Sequence, residues 1–122
     1  MPNNDSIHVS RQDDITIITL GPEYQKLEEG HLQEVRTEIL TAVESAEPPL
    51  VVLDMSNVNF FGSAFIEILF RAWNRLEKAE NGKFVICGLM PYCKEVLQVT
   101  NLDRIWELVE TRDDAIAQLQ TA

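Results

Sequence analysis

The chain predicts an α/β fold: helices packed on a mixed, mostly parallel sheet that begins with a β-hairpin, in the order β-β-α-β-α-β-α-β-α. Three observations lead there. After two adjacent strand-like segments, strand-like and amphipathic helical segments alternate to the end of the chain. The run Leu50-Val51-Val52-Leu53 is apolar without alternation, which suits a central strand covered on both faces. Finally, 122 residues, 45% hydrophobic and 25% charged, can bury one substantial core and are not the composition of a disordered chain. We therefore expect a single domain over 1–122, with an ordered core at about 7–119.

The elements follow in order. Ile7-His8-Val9-Ser10 and Ile15-Thr16-Ile17-Ile18-Thr19-Leu20 flank the polar Gln12-Asp13-Asp14, which reads as a hairpin. Gly21-Pro22 breaks the second strand, and a polar loop of about ten residues leads to a helix. In that helix Leu32, Val35, Ile39, Ala42 and Val43 recur at spacings of three and four, while Gln33, Glu34, Arg36, Glu38 and Glu44 fall elsewhere. Pro48-Pro49 ends it and delivers the chain to the central strand.

A second helix is expected from Ser63 to about Ala79, with Ile66, Leu69, Phe70, Trp73 and Leu76 facing inward and Arg71, Asn74, Arg75 and Lys78 largely outward. Asn81-Gly82 is a turn, and Lys83-Phe84-Val85-Ile86-Cys87 is the next strand. Gly88-Leu89-Met90-Pro91 opens a third helix, Pro91 suiting its first turn and Val96, Leu97 and Val99 supplying its apolar contacts. Ile105-Trp106-Glu107-Leu108-Val109 reads as a short strand. Thr111, followed three residues later by Asp114, resembles a capping box before a last helix that carries Ala115, Ile116 and Leu119.

Charge and motifs narrow the function. Twenty acidic residues against ten basic ones give a net charge of -10, which opposes attraction to nucleic acid or anionic membrane surfaces. The acids at Asp13, Asp14, Glu23, Glu28, Glu29, Glu77, Glu80, Asp113 and Asp114 are scattered, as on a solvated surface. Cys87 and Cys93, six apart, form neither a redox pair nor half of a zinc site and read as small buried hydrophobes in a reducing compartment.

The first residues lack the basic region and apolar run of a signal peptide, and no apolar run reaches membrane-spanning length, so a cytoplasmic location without membrane insertion is expected. No phosphate-cradling loop, dinucleotide fingerprint, zinc-protease motif or nucleophile elbow occurs. His8 and His31 fall on a terminal strand and a helix start and read as surface residues. Asp54 and Ser63 lack a histidine or lysine to complete a hydrolytic set, so we assign no catalytic residue, metal or cofactor.

What remains is the junction from Val51 to Ala64. A buried-looking strand ending at Asp54 leads through Ser56-Asn57-Val58-Asn59-Phe60-Phe61 to Gly62-Ser63 at a helix start. A helix N-terminus carries unpaired amides and the positive end of the helix dipole. Ser63 is thus either the helix cap or a site at which a phosphate would be electrostatically welcome. Of the adjacent Phe60 and Phe61, at most one is expected to point inward; Phe65 either lines an interface or packs under the loop.

Taken together, these segments resemble the STAS domain, the fold shared by anti-sigma factor antagonists and the tails of sulphate transporters. The resemblance covers nearly the whole chain. It rests on Val51-Val52-Leu53-Asp54-Met55-Ser56-Asn57-Val58-Asn59-Phe60, on Gly62-Ser63 where the family usually has Asp-Ser, and on Cys87-Gly88-Leu89, Val96, Leu97, Thr100-Asn101-Leu102, Ile105-Trp106 and Asp114-Ala115-Ile116. Ala64 stands in place of a frequent second serine, and Phe65 and Glu67 in place of small residues.

The resemblance implies a non-enzymatic partner-switching module. Ser63 would be phosphorylated by an anti-sigma factor that is also a serine kinase and released by a cognate phosphatase, the unmodified form binding the kinase. Phe61, Gly62, Ser63, Ala64, Phe65 and Glu67 would form the partner surface of a monomer or weak dimer. Two alternatives stand beside it: a STAS subunit that binds protein without phosphorylation in a signalling or transport assembly, and a nucleotide-binding STAS module.

Overall fold

In the computed structural model, which describes residues 7–24, 26–27 and 29–120, the hairpin pairs β1 (Ile7–Gln12) with β2 (Ile15–Leu20). Gln12 lies opposite Ile15, so Asp13 and Asp14 alone make the turn, at φ 52° and 72°. That left-handed backbone matches the twist of the flanking strands, and short aspartates tolerate it better than branched residues do.

A 3₁₀ turn at Pro22–Tyr24 leads to β3 (Lys26–Leu27) and α1 (Glu29–Ser45). Then come β4 (Leu50–Asp54), β5 (Phe60–Phe61), α2 (Ser63–Lys78), β6 (Lys83–Cys87), α3 (Pro91–Val99), a second 3₁₀ turn at Leu102–Arg104, β7 (Glu107–Val109) and α4 (Arg112–Gln120). The main sheet runs β1-β2-β4-β6-β7, antiparallel only at the hairpin, as the sequence order requires. The small parallel pair β3-β5 falls in stretches read from the sequence as loop, because two-residue strands are too short to show any alternation.

Side-chain alternation divides the core. Ile18, Leu20, Val51, Leu53, Phe84 and Ile86 meet the side chains of α1, α2 and α3 on one face. Ile15, Ile17, Val52, Val85 and Cys87 meet Ala115, Ile116 and Leu119 of α4 on the other. β4 is therefore covered on both faces, as its unbroken apolar run predicts.

Three local readings are corrected. In α2 the buried residues are Phe65, Ile68, Leu69, Ala72 and Leu76, while Phe70 is exposed and Ile66 and Trp73 are half-buried. The apolar stripe is centred on Ala72, whose small side chain lets the helix approach closely, and a search for large side chains passes over it. In α3 the buried residues are Cys93 and Leu97, with Val96 half-buried and Val99 73% exposed.

The last strand starts only at Glu107. Asn101, at φ 63°, opens the second 3₁₀ turn, and the amide of Trp106 donates to the carbonyl of Leu102 at 3.0 Å, so Ile105 and Trp106 belong to the turn. At the next helix start the expected cap holds: the Asp114 amide donates to Thr111 Oγ1 at 3.0 Å.

Candidate functional site

The site is built at the C-terminal end of β4. Asp54 Oδ1 accepts from the amide and the hydroxyl of Ser56, at 3.0 and 2.7 Å. Its Oδ2 accepts from Arg112 Nε and Nη2, at 3.1 and 2.8 Å, and the same Nη2 donates to Thr19 Oγ1 at 2.8 Å. Burial pushes the Asp54 carboxyl up, but the Ser56 amide, the Arg112 guanidinium and the Ser56 hydroxyl outweigh it and hold the group below its ordinary value of 3.8. A carboxylate offers about four acceptor positions, and here they are taken. Asp54 thus ties β4, β2 and the start of α4 together and has no free lone pair for a general base.

The loop from Asp54 to α2 is pinned along its length. The Met55 amide donates to the Cys87 carbonyl at 2.9 Å, the Val58 amide to Met55 at 3.0 Å, and Asn57 Nδ2 to the Leu20 carbonyl at 3.0 Å. The Cys93 thiol lies 3.7 Å from the Val58 carbonyl. Beneath the loop, Gly88 adopts φ +72°, and a Cβ there would lie 3.0 Å from Ser56 Cβ and 3.2 Å from both Asp54 Oδ1 and the Ser56 nitrogen. Only glycine fits that backbone at that approach. The far end of the loop is held by the pairing of Phe60 and Phe61 with Lys26 and Leu27.

Ser63 is the first residue of α2 and is exposed, but it is not the cap. That position belongs to Gly62, which has no side chain to offer; its carbonyl accepts from the amides of Phe65 and Ile66, at 3.1 and 3.3 Å. Gly62 has an ordinary φ of -116°, and a Cβ there would meet nothing within 4 Å, so an acid at this position would fit without strain. The Ser63 hydroxyl is therefore not committed to capping, and the helix start carries no capping side chain.

The expected partner residues divide into two groups. Gly62, Ser63, Ala64 and Glu67 are exposed together on the first turns of α2. Phe61 and Phe65, 1% and 0% exposed, pack ring to ring beneath the loop with centroids 5.3 Å apart, which turns both side chains away from any partner. Phe60 is the outward ring of its pair, 43% exposed and stacked on Tyr92 at 5.5 Å. Strand alternation separates Phe60 from Phe61, but sequence could not say which faced in, and Tyr92 carried no signal at all.

Arg112 was also missed, because its partner stands 58 residues away. Both cysteines are buried and free as expected; burial, with the nearby Asp54 charge, pushes the Cys87 thiol up to about 12, and burial pushes Cys93 up to about 11. His8 is exposed, whereas His31, expected at the surface, is half-buried against the edge of Tyr24. Among the described residues no group of His, Cys, Asp or Glu is arranged to hold a metal ion, and no helix is long and apolar enough to cross a membrane.

A mixed sheet in the order β1-β2-β4-β6-β7, with an exposed serine on the helix that follows the central strand, defines an α/β module that presents a helix start at its surface. Residues 6–115 match the model of the STAS domain, and the chain belongs to that family. It is 36% identical to an anti-sigma-factor antagonist (STAS) domain protein of Planctomyces limnophilus, whose structure superposes with a TM-score of 0.86 over 93% of this chain and 96% of that one. A protein of Bordetella bronchiseptica described as a candidate anti-sigma factor antagonist, BtrV, is 25% identical over 93 residues, 76% of this chain and 78% of its own. The anti-sigma factor antagonist SpoIIAA in its unphosphorylated form shares the fold at 17% identity and a TM-score of 0.72, covering 95% of this chain and 97% of that one; the Bacillus SpoIIAA is also solved in the phosphorylated form, at a TM-score of 0.65.

Proposed function

We propose that this protein is an anti-sigma factor antagonist acting as a non-enzymatic partner switch. Unmodified, it binds an anti-sigma factor that is also a serine kinase through Gly62, Ser63, Ala64 and Glu67. Phosphorylation of Ser63 breaks the contact and a cognate phosphatase restores it. The observation that carries this reading is the exposed Ser63 hydroxyl on the first turn of α2, at the end of a loop tied down at Asp54, Asn57 and Phe61.

The physics favours a switch that leaves the fold intact. Phosphorylation adds about -1.5 to -2 charges at neutral pH, and the positive end of a helix lowers the cost of holding them. Against a partner the same group would have to shed its water, where a neutral hydroxyl had been accommodated. The pinned loop gives the chain little freedom to retract the charge.

Incubation with the cognate kinase, followed by intact-mass measurement and peptide mapping, is expected to place one phosphate on Ser63. Ser63→Asp is expected to keep the thermal midpoint within a few degrees, since an acid in the first turn complements the helix dipole, and to weaken partner binding roughly 100-fold. A second reading, a STAS subunit that binds its partner regardless of phosphorylation, is favoured by one observation: Gly62 stands where the resemblance leads one to expect an acid beside the serine. Equal binding by wild type and Ser63→Asp would decide for it.

A further inference from the structure

The chain has ten lysines and arginines, and three of them, Arg71, Arg75 and Lys78, fall on α2 at spacings of four and three. They share one exposed face of the helix. That face lines an open groove of about 260 Å³ between α1 and α2, floored by the half-buried Leu40 and closed by Glu44 and Asn74. We infer that this groove is a docking site for a short acidic segment of a protein partner, one in which carboxylates flank an apolar side chain.

The charges in the groove are only loosely engaged. Arg71 meets Glu67 at 3.3 Å and Arg75 meets Glu44 at 3.9 Å, with all four side chains half or more exposed. Exposed pairs of this kind contribute little and exchange partners readily. Lys78 makes no ion pair among the described residues, so the three cations lining the groove face one lining carboxylate, Glu44, with Glu67 beside Arg71 just outside it. Complementing the helix dipole accounts for cations in the last turn, Arg75 and Lys78, but not for Arg71, a full turn earlier.

The occupant follows from the surroundings. A nucleic acid would run on past the groove into a surface whose net charge is -10, whereas a short peptide segment can end inside it. Leu40 gives such a segment an apolar contact that a phosphate backbone could not use. The groove face also continues toward the N-terminus of α2 through Glu67 to Ser63, spaced four residues apart. A partner reading Ser63 could therefore extend along the helix, but the docking site itself does not require Ser63 to be modified and goes beyond that reading.

The test uses the full chain and a fluorescein-labelled peptide of glutamates flanking a leucine, followed by anisotropy at low and at physiological salt. Binding is expected, weaker at the higher salt, with amide NMR shifts centred on Leu40, Arg71, Asn74 and Lys78. The triple variant Arg71→Gln, Arg75→Gln, Lys78→Gln is expected to lose about tenfold or more in affinity, its circular dichroism unchanged. A control with the same charge change elsewhere, Arg11→Gln, Lys94→Gln, Arg104→Gln, should stay within about twofold. Failure of the peptide to bind, equal losses in both triple variants, or displacement of the peptide by single-stranded DNA would each overturn the inference. None of these outcomes bears on phosphorylation at Ser63, which is read separately by mass.

Discussion

Asp54 accepts four hydrogen bonds at the end of the central strand, and that small arrangement sets two measurable properties. Its carboxyl titrates below its ordinary 3.8 in the folded chain, so the folded state takes up this proton less readily than the unfolded state. The stability it contributes is fully present above 3.8 and is lost as the pH falls through the folded value. Asp54→Asn is expected to cost about 2 kcal/mol at neutral pH, below the roughly 3–5 kcal/mol of a fully buried pair because Arg112 keeps a partly exposed guanidinium. Urea titrations over falling pH should show the difference between wild type and variant shrinking in acid. Gly88→Ala is expected to cost about 2 kcal/mol in the same titration, since a Cβ at positive φ would press on Ser56 and on the Asp54 carboxylate.

Among the elements, those with a long repeating pattern could be read from the sequence. The stripe of α1 and the apolar runs of β4 and β6 were legible because a helix face or a doubly covered strand repeats over several residues. The cap at Thr111 was legible because it is made three residues away, and Thr111→Ala is expected to cost about 1 kcal/mol, a fall of about 4 °C in the thermal midpoint by circular dichroism. The cap at α2 misled for the complementary reason: Ser63 has the chemistry of a cap, but the backbone turns one residue earlier, at Gly62. The pairing of β3 with β5 was hidden because each contributes two residues that acquire strand geometry only from the other.

At the scale of the whole molecule, the two phenylalanines expected at a partner surface, Phe61 and Phe65, are part of the core. Phe65→Ala is expected to destabilise the chain by about 3–5 kcal/mol, because a fully buried ring leaves a cavity between α2 and the loop. Phe60→Ala, which removes a ring already 43% exposed, should cost about 1 kcal/mol or less. Guanidinium unfolding of the two variants separates the roles; a stable Phe65→Ala would contradict the burial of its ring. The candidate surface that remains is narrow: Gly62, Ser63, Ala64 and Glu67, with a pinned loop behind them.

The amino-acid sequence by itself determined the order of the elements, the hairpin, the doubly covered central strand, the acidic surface and the placement of Ser63 at a helix start, because each is written in residues a few positions apart. Only the tertiary structure decided that Gly62 and not Ser63 is the cap, that Phe60 faces out while Phe61 and Phe65 face in, and that Arg112 reaches back to Asp54 and Thr19. The last of these joins residues 58 and 93 positions apart, and no local pattern records such a meeting. It follows from how β2, β4 and α4 pack, and packing is a property of the whole fold.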